Sequence, residues 1–320
     1  MSKSLGNFIE PGEIIKTNGA EILRLWVAML NFKEDARFGD EILQRLVEAY
    51  RKIRNTWRFI IGNLHDFNPD QDQVPPDAMK PFDAWIMEKC AHLNRKIIQA
   101  YKNFEYHVVF HSMYNFFTVT LSSYYLDVLK DRLYCSAPDS DLRRSAQTAL
   151  FQLLRTTLIL MSPVLPFTTE EAWETLPEHK NKTESVHLEK FVEFDHEWME
   201  ENEFKKWEHL AEIREIVLKS LEEAREAKII GNSLEANVKM NASGADYSLL
   251  DEYKAELPAL FIVSEVELAE QEKGEVSAEI MRVQWDKCQR CWNYSSSVGK
   301  SREYPEFCTR CDRVVKELKP

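Results

Sequence analysis

The stretch DLRRSAQTALFQLLRTTLILM, residues Asp141–Met161, decides the fold. It is rich in apolar side chains, holds no glycine or proline, and stops at Pro163 and Pro166. Two further apolar-rich stretches precede it, at about Phe82–Phe104 and Val108–Arg132, with turn residues between them. Three such segments in succession predict the core of an antiparallel helix bundle. Towards the N-terminus, Pro69, Pro75, Pro76 and Pro81 mark a breaker segment. Before it, residues 40–66 predict an amphipathic helix with Leu46, Ala49, Ile53 and Trp57 on one side. A shorter helical pattern starts at Ala20. Towards the C-terminus, Thr168 and Glu171 predict a capping box for a short helix through Trp173. A charge-rich helix is predicted over 195–228. After Gly231 the pattern changes to a strand at Glu235–Met240, a helix at Tyr247–Leu260, and strands at Ser264–Ala269 and Ala278–Asp286. The fold expected is mainly α: a helix bundle, then a small α/β unit, then a metal-stapled tail.

Composition supports this. Only 9 glycines occur among 320 residues, where ordinary usage would give about 22. Few glycines mean few phosphate-cradling loops, which disfavours a dinucleotide-binding core. No apolar run approaches the ~18 residues of a membrane span, and no signal-peptide pattern opens the chain. The expectation is a cytoplasmic protein with no membrane contact.

The strongest chemical signal is Cys288-Gln-Arg-Cys291, followed after sixteen residues by Cys308-Thr-Arg-Cys311. Each pair can chelate one ion, and the spacer lets two knuckles face each other as a tetrahedral S4 site suited to one structural Zn²⁺. Redox-active or disulfide pairs are the other reading of the same spacing. Cys90 and Cys135 stand alone and fit buried packing.

Charge inverts at the same place. The net charge is −12 overall, but residues 287–320 hold eight basic and four acidic side chains, so the tail is +4 and the rest −16. Trp292, Tyr294, Tyr304 and Phe307 interleave with cations such as Arg290 and Arg310, as suits stacking on unpaired bases. They would equally fill a small zinc-stapled core. A second basic cluster, Arg51-Lys-Ile-Arg54-Asn-Thr-Trp-Arg58, has no acid between Ala49 and His65. On a helix, Arg51, Arg54 and Arg58 share a face opposite the apolar stripe, placed either for phosphates or for acids on a neighbouring helix. The opening Met1-Ser-Lys3-Ser-Leu-Gly6-Asn7 is a polar loop able to bring the Lys3 ammonium to a polyphosphate, or an ordinary chain end. His107 and His111 have the spacing of a helical metal pair but lie among aromatics, which favours packing.

Taken together these residues resemble a known family. Met1–Asn7 resembles the KMSKS loop of class I aminoacyl-tRNA synthetases, lacking that motif's first lysine. Ala20–Val27, Tyr50–Phe59, Gly62–Phe67 and Pro163–Phe167 with Glu170, Glu171 and Trp173 look like segments of the branched-chain subgroup. Leu221–Arg225 leading to Ile230–Ala236, and the cysteine tail, are similar to the isoleucyl-tRNA synthetases of bacterial type.

The resemblance implies residues 1–75 as loop and connecting helices from the end of a catalytic core, and 76–230 as an anticodon-binding bundle. It implies 231–286 as a small junction domain and 287–320 as a zinc finger. It implies tRNA-Ile as partner, a monomer, and ATP with Mg²⁺ as substrate of the complete enzyme. Lys3 would then bind ATP and act catalytically, stabilising charge on the pentavalent phosphate. Arg51, Arg54, Arg58, Arg290, Trp292 and Arg310 are the candidate tRNA contacts. The family's HIGH motif and editing domain do not occur in the sequence. The expectation is a C-terminal portion of such an enzyme, unable alone to form the adenylate, working with a separate catalytic half if the gene is split. A free-standing tRNA-binding or regulatory module is the alternative.

Overall fold

A computed structural model describes residues 10–36, 38–194 and 197–318. Lys3, the expected catalytic and ATP-binding residue, lies outside them. The chain folds as two compact units, Met1–Asp127 with Arg144–Trp198, and Val128–Arg143 with Met199–Pro320.

The first unit is helical. It holds α1 (Pro11–Asn18), α2 (Ala20–Met29), α3 (Asp40–Gly62), α4 (Pro81–Lys102) and α5 (Tyr106–Asn115). A π-helical segment, Phe116–Tyr125, follows and leads into α6 (Leu126–Cys135), which from Val128 onward belongs to the second unit. Then come α7 (Asp141–Met161) and α8 (Pro166–Glu174). The expected Val108–Arg132 helix is therefore helical throughout, but ten of its residues are wound one residue looser than an α-helix. That winding buries Phe116, Phe117, Leu121, Tyr124 and Tyr125 together, and Ser123 donates to the carbonyl of Thr118 five residues back.

Long side chains fill the core. Trp57 is 1% exposed, meets Phe117 edge-on at 5.4 Å, and gives its Nε1–H to Thr157 at 3.0 Å. Several polar side chains of α7 find partners within the core. Ser145 donates to the fully buried Asp83 at 2.6 Å, and Tyr125 donates to the same carboxylate at 2.8 Å. Gln147 reaches the carbonyl of Asn63 and the carboxylate of Asp66 at the end of α3. Leaving any of these groups buried without a partner would cost roughly 1–3 kcal/mol.

The cap of α8 differs from expectation. Pro166 opens the helix, and Thr168 lies within its first turn rather than before it. The orphan N–H groups of Phe167 and Thr168 are taken at 2.8 and 3.1 Å by Glu21, a buried carboxylate of α2, which also accepts from the Thr168 hydroxyl. Glu171, free of any capping duty, pairs instead with Arg54. A helix N-terminus accepts an acid from any element that can reach it, so a local capping rule was outcompeted.

In the second unit α9 (Glu201–Glu226) buries Trp207, Leu210, Ile213, Val217, Leu221 and Ala224 at helical spacing. It packs on a three-stranded sheet of order β2-β1-β3, where β1 is Ala236–Ala242, β2 Glu265–Glu270 and β3 Ser277–Arg282. Strand β1 runs parallel to β2 and antiparallel to β3. The crossover between β1 and β2 carries two helices, α10 (Gly244–Glu252) and α11 (Leu257–Phe261), where one was expected. Pro258 sits in the first turn of α11, the place in a helix where a missing N–H costs nothing. The strand expected over Ala278–Asp286 breaks after Arg282. It resumes as β4 (Asp286–Lys287), which pairs with β5 (Tyr294–Ser295) ahead of α12 (Thr309–Leu318). No helix among the described residues is long and apolar enough to cross a membrane.

Candidate metal centre and nucleic-acid interface

The β4–β5 hairpin supplies the first cysteine pair and the start of α12 the second. Cys288 follows β4, and its carbonyl accepts from the N–H of Trp292 at 2.9 Å, closing the first knuckle. Cys308 directly precedes α12 and Cys311 lies in its first turn. Their four Sγ atoms lie within 4.8 Å of one another, and Cys291 and Cys308 are 3.8 Å apart. A tetrahedron with Zn–S near 2.3 Å has edges of about 3.8 Å, so the set fits one Zn²⁺. All four side chains are buried, with Cys288 and Cys311 at 0% exposure. Four thiolates close the shell, which makes this a structural rather than a catalytic ion site. The backbone N–H of Cys308 donates to Cys288 Sγ at 3.2 Å, a contact that steadies a thiolate. Sulfur contacts with Cys308 and Cys311 hold the Cys291 thiol well below the ordinary thiol range.

Trp292, directly after the first knuckle, has φ 65° and is 61% exposed. Left-handed backbone costs a non-glycine residue about 1–2 kcal/mol. The ammonium of Lys287 lies 5.3 Å from the centre of the Trp292 ring. A bulky ring thus stands in solvent at a position that glycine would fill without strain.

The tail's two candidate arginines are engaged by groups of their own unit. Arg290 donates to the carbonyl of Cys135 at 2.6 Å and that of Tyr134 at 3.4 Å, and lies 3.7 Å from Cys311 Sγ. Arg310 grips Asp131 through two bonds of 2.5 and 2.7 Å. Asn293 reaches the same carboxylate at 3.4 Å. Cys135 packs against the four cysteines, and burial, helped by Asp131, pushes its thiol up to about 11. Cys135 is buried as its sequence context suggests, but its contact with Arg290, and the part played by Asp131, join residues more than 150 positions apart, beyond the reach of any spacing rule.

In the first unit, Arg51, Lys52, Arg54, Asn55 and Arg58 are exposed on α3. Arg54 pairs with Glu171 at 2.8 Å. Among the described residues neither Arg51 nor Arg58 has an ion-pair partner. Arg54, Asn55 and Arg58 line one side of a cleft of about 300 Å³, and Thr168, Glu171 and Thr175 of α8 line the other. Trp57, Ile61 and Ala172 form its apolar part. Cations, hydroxyls and an apolar patch in one open cleft suit a phosphate-bearing aromatic ligand. His107 and His111 take part in no metal cluster among the described residues.

Comparison with known proteins gives three family matches. Residues 83–240 match the anticodon-binding domain of tRNA ligase, residues 286–314 the zinc finger found in FPG and IleRS, and residues 1–39 the tRNA synthetases class I (I, L, M and V). An isoleucine--tRNA ligase of Syntrophotalea carbinolica is 45% identical over 324 residues, covering 98% of this chain and 35% of the relative. One of Carboxydothermus hydrogenoformans is 44% identical over 325 residues, covering 100% of this chain and 35% of the relative. The chain spans about a third of the length of the curated relatives it matches.

Proposed function

The chain belongs to the isoleucine--tRNA ligase family of class I aminoacyl-tRNA synthetases, and from that premise we propose that it supplies tRNA-Ile recognition to the ATP-dependent charging of that tRNA with isoleucine. The observation that carries the reading is the α3 face, where among the described residues Arg51 and Arg58 are free of ion pairs beside an open cleft. Unpaired guanidiniums on a rigid helix suit phosphates, and the cleft suits an unstacked base. The exposed Trp292, steadied by Lys287, offers a stacking ring on the zinc module. The S4 zinc keeps the shape of that module without touching substrate. Lys3 is proposed to act on ATP with Mg²⁺ when adenylate forms in the complete enzyme. The 320 residues contain no HIGH motif, and by themselves they should give no ATP- and isoleucine-dependent pyrophosphate exchange. A cytoplasmic location accords with this role.

The test is binding of the purified chain to tRNA-Ile across a salt series. The logarithm of the affinity should fall linearly with log salt, with a slope of roughly 0.7–0.9 per phosphate contacted. Salt-independent binding, or equal affinity for unrelated tRNAs, would defeat the reading.

A further inference from the structure

We propose that Arg290 and Arg310 form the outer shell of the zinc centre: two guanidiniums that offset its negative charge and tie it to the end of α6, rather than groups that touch RNA. The charges require something of this kind. Four thiolates and one divalent ion leave a net charge of 2− in a buried site, and Asp131 adds another negative charge beside it. Two guanidiniums bring that cluster from 3− to 1−. Arg290 lies 3.7 Å from Cys311 Sγ, and Arg310, set between Cys308 and Cys311 in the second knuckle, grips Asp131.

Their remaining donors are spent on the same stretch of chain. Arg290 binds the carbonyls of Tyr134 and Cys135, the last of α6, which no later turn of that helix can satisfy. A cation there also meets the negative end of the helix dipole. Arg310 holds Asp131 one turn earlier with a two-pronged grip that only guanidinium geometry provides. Arg290 therefore bridges the sulfur core and α6, and Arg310 ties the second knuckle to the same helix. The claim concerns zinc retention and stands whether or not tRNA is the ligand.

The test uses the full chain with Arg290→Met, Arg310→Met, Arg290→Lys and Arg310→Lys. Zinc release to an excess of a chromogenic chelator is timed without RNA, and the Co²⁺-substituted proteins are examined for the thiolate charge-transfer band. Outer-shell partners are typically worth 10–100-fold in metal affinity, so the methionine variants should release zinc about tenfold faster or more. The lysine variants should fall between, keeping the charge but losing the two-point grip. The cobalt spectrum should keep its tetrahedral S4 signature, showing that the ligand set is intact. Release rates unchanged in both methionine variants would overturn the proposal. So would variants that keep wild-type release but lose tRNA binding, since that result would assign both arginines to the RNA surface. If a methionine variant does not fold, its lysine counterpart decides: faster release supports the proposal and an unchanged rate overturns it.

Discussion

The arginines of α3 and those of the zinc tail are one residue type put to opposite uses. On α3 the apolar stripe of Leu46, Ile53, Trp57 and Ile60 is buried, so Arg51, Arg54 and Arg58 are left facing water, and among the described residues only Arg54 finds an acid. In the tail Arg290 and Arg310 are held by carbonyls, a carboxylate and one cysteine sulfur. Segment charge locates cations but does not say which way they point. A tail of formal charge +4 spends two of its cations on its own core before any ligand arrives.

Four experiments test that contrast, from the largest expected effect to the smallest. Removing zinc should act on one region only. Structural zinc is worth about 10–16 kcal/mol of apparent binding free energy in zinc-finger peptides, so chelation or Cys311→Ser should unfold the tail. Limited proteolysis should then cut within 286–318 and spare the helical unit; cleavage in both alike would break the contrast.

Next, Arg51→Ala with Arg58→Ala should remove two phosphate contacts. Between 1 M and 0.1 M salt the double variant should gain about 25–60-fold less tRNA affinity than the parent. Arg54→Ala should do less, because its guanidinium already sits on Glu171. An unchanged slope in a filter-binding series would remove α3 from the interface.

Third, Trp292→Gly should separate stability from binding within the tail. It should relieve left-handed strain of about 1–2 kcal/mol while weakening RNA binding by roughly 1–3 kcal/mol per stacked base. Thermal melts and binding isotherms on one preparation would show both signs; loss of stability would mean the ring is packing after all.

The smallest effect is of pH. His209 donates to Asp246 at 2.7 Å and Glu212 at 3.0 Å, and these bonds raise its pKa above the usual imidazole range. Its contribution is complete below pH ~6.5 and lost as pH climbs through the raised value. His111 shifts the other way, lowered by burial and by His107, so its contribution fades as pH falls below ~6.5. Mild acid should therefore favour the second unit and disfavour the first. Each effect should stay under about 1 kcal/mol, because His209 is 44% exposed and solvent screens it. His209→Gln should abolish the pH dependence of protection in α9 and α10 measured by hydrogen exchange, and a persistent dependence would assign it to another group.

Much of this was legible in the sequence, for identifiable reasons. Apolar spacing marks the bundle helices, and Asp141–Met161 matches α7 at both ends because prolines and turns bound it. The paired cysteines announce the metal because chelation needs neighbours in sequence. What stayed hidden depends on residues that are distant in sequence. Glu21 caps a helix 146 residues away, and Arg310 meets Asp131 across 179. The π segment was invisible because an apolar-rich run such as FFTVTLSSYY has no polar face to reveal a change of pitch.

That segment also bears on how the chain can vary in length. A helix wound looser than α-helical pitch carries a surplus residue relative to its neighbours. A deletion within Phe116–Tyr125 can therefore be absorbed by tightening the winding, leaving α5 and α6 where they are. The same deletion in the middle of α7 would rotate every later side chain by about 100° around the axis. Within this bundle, one-residue length differences among relatives should accumulate at 116–125 and be purged from 141–161.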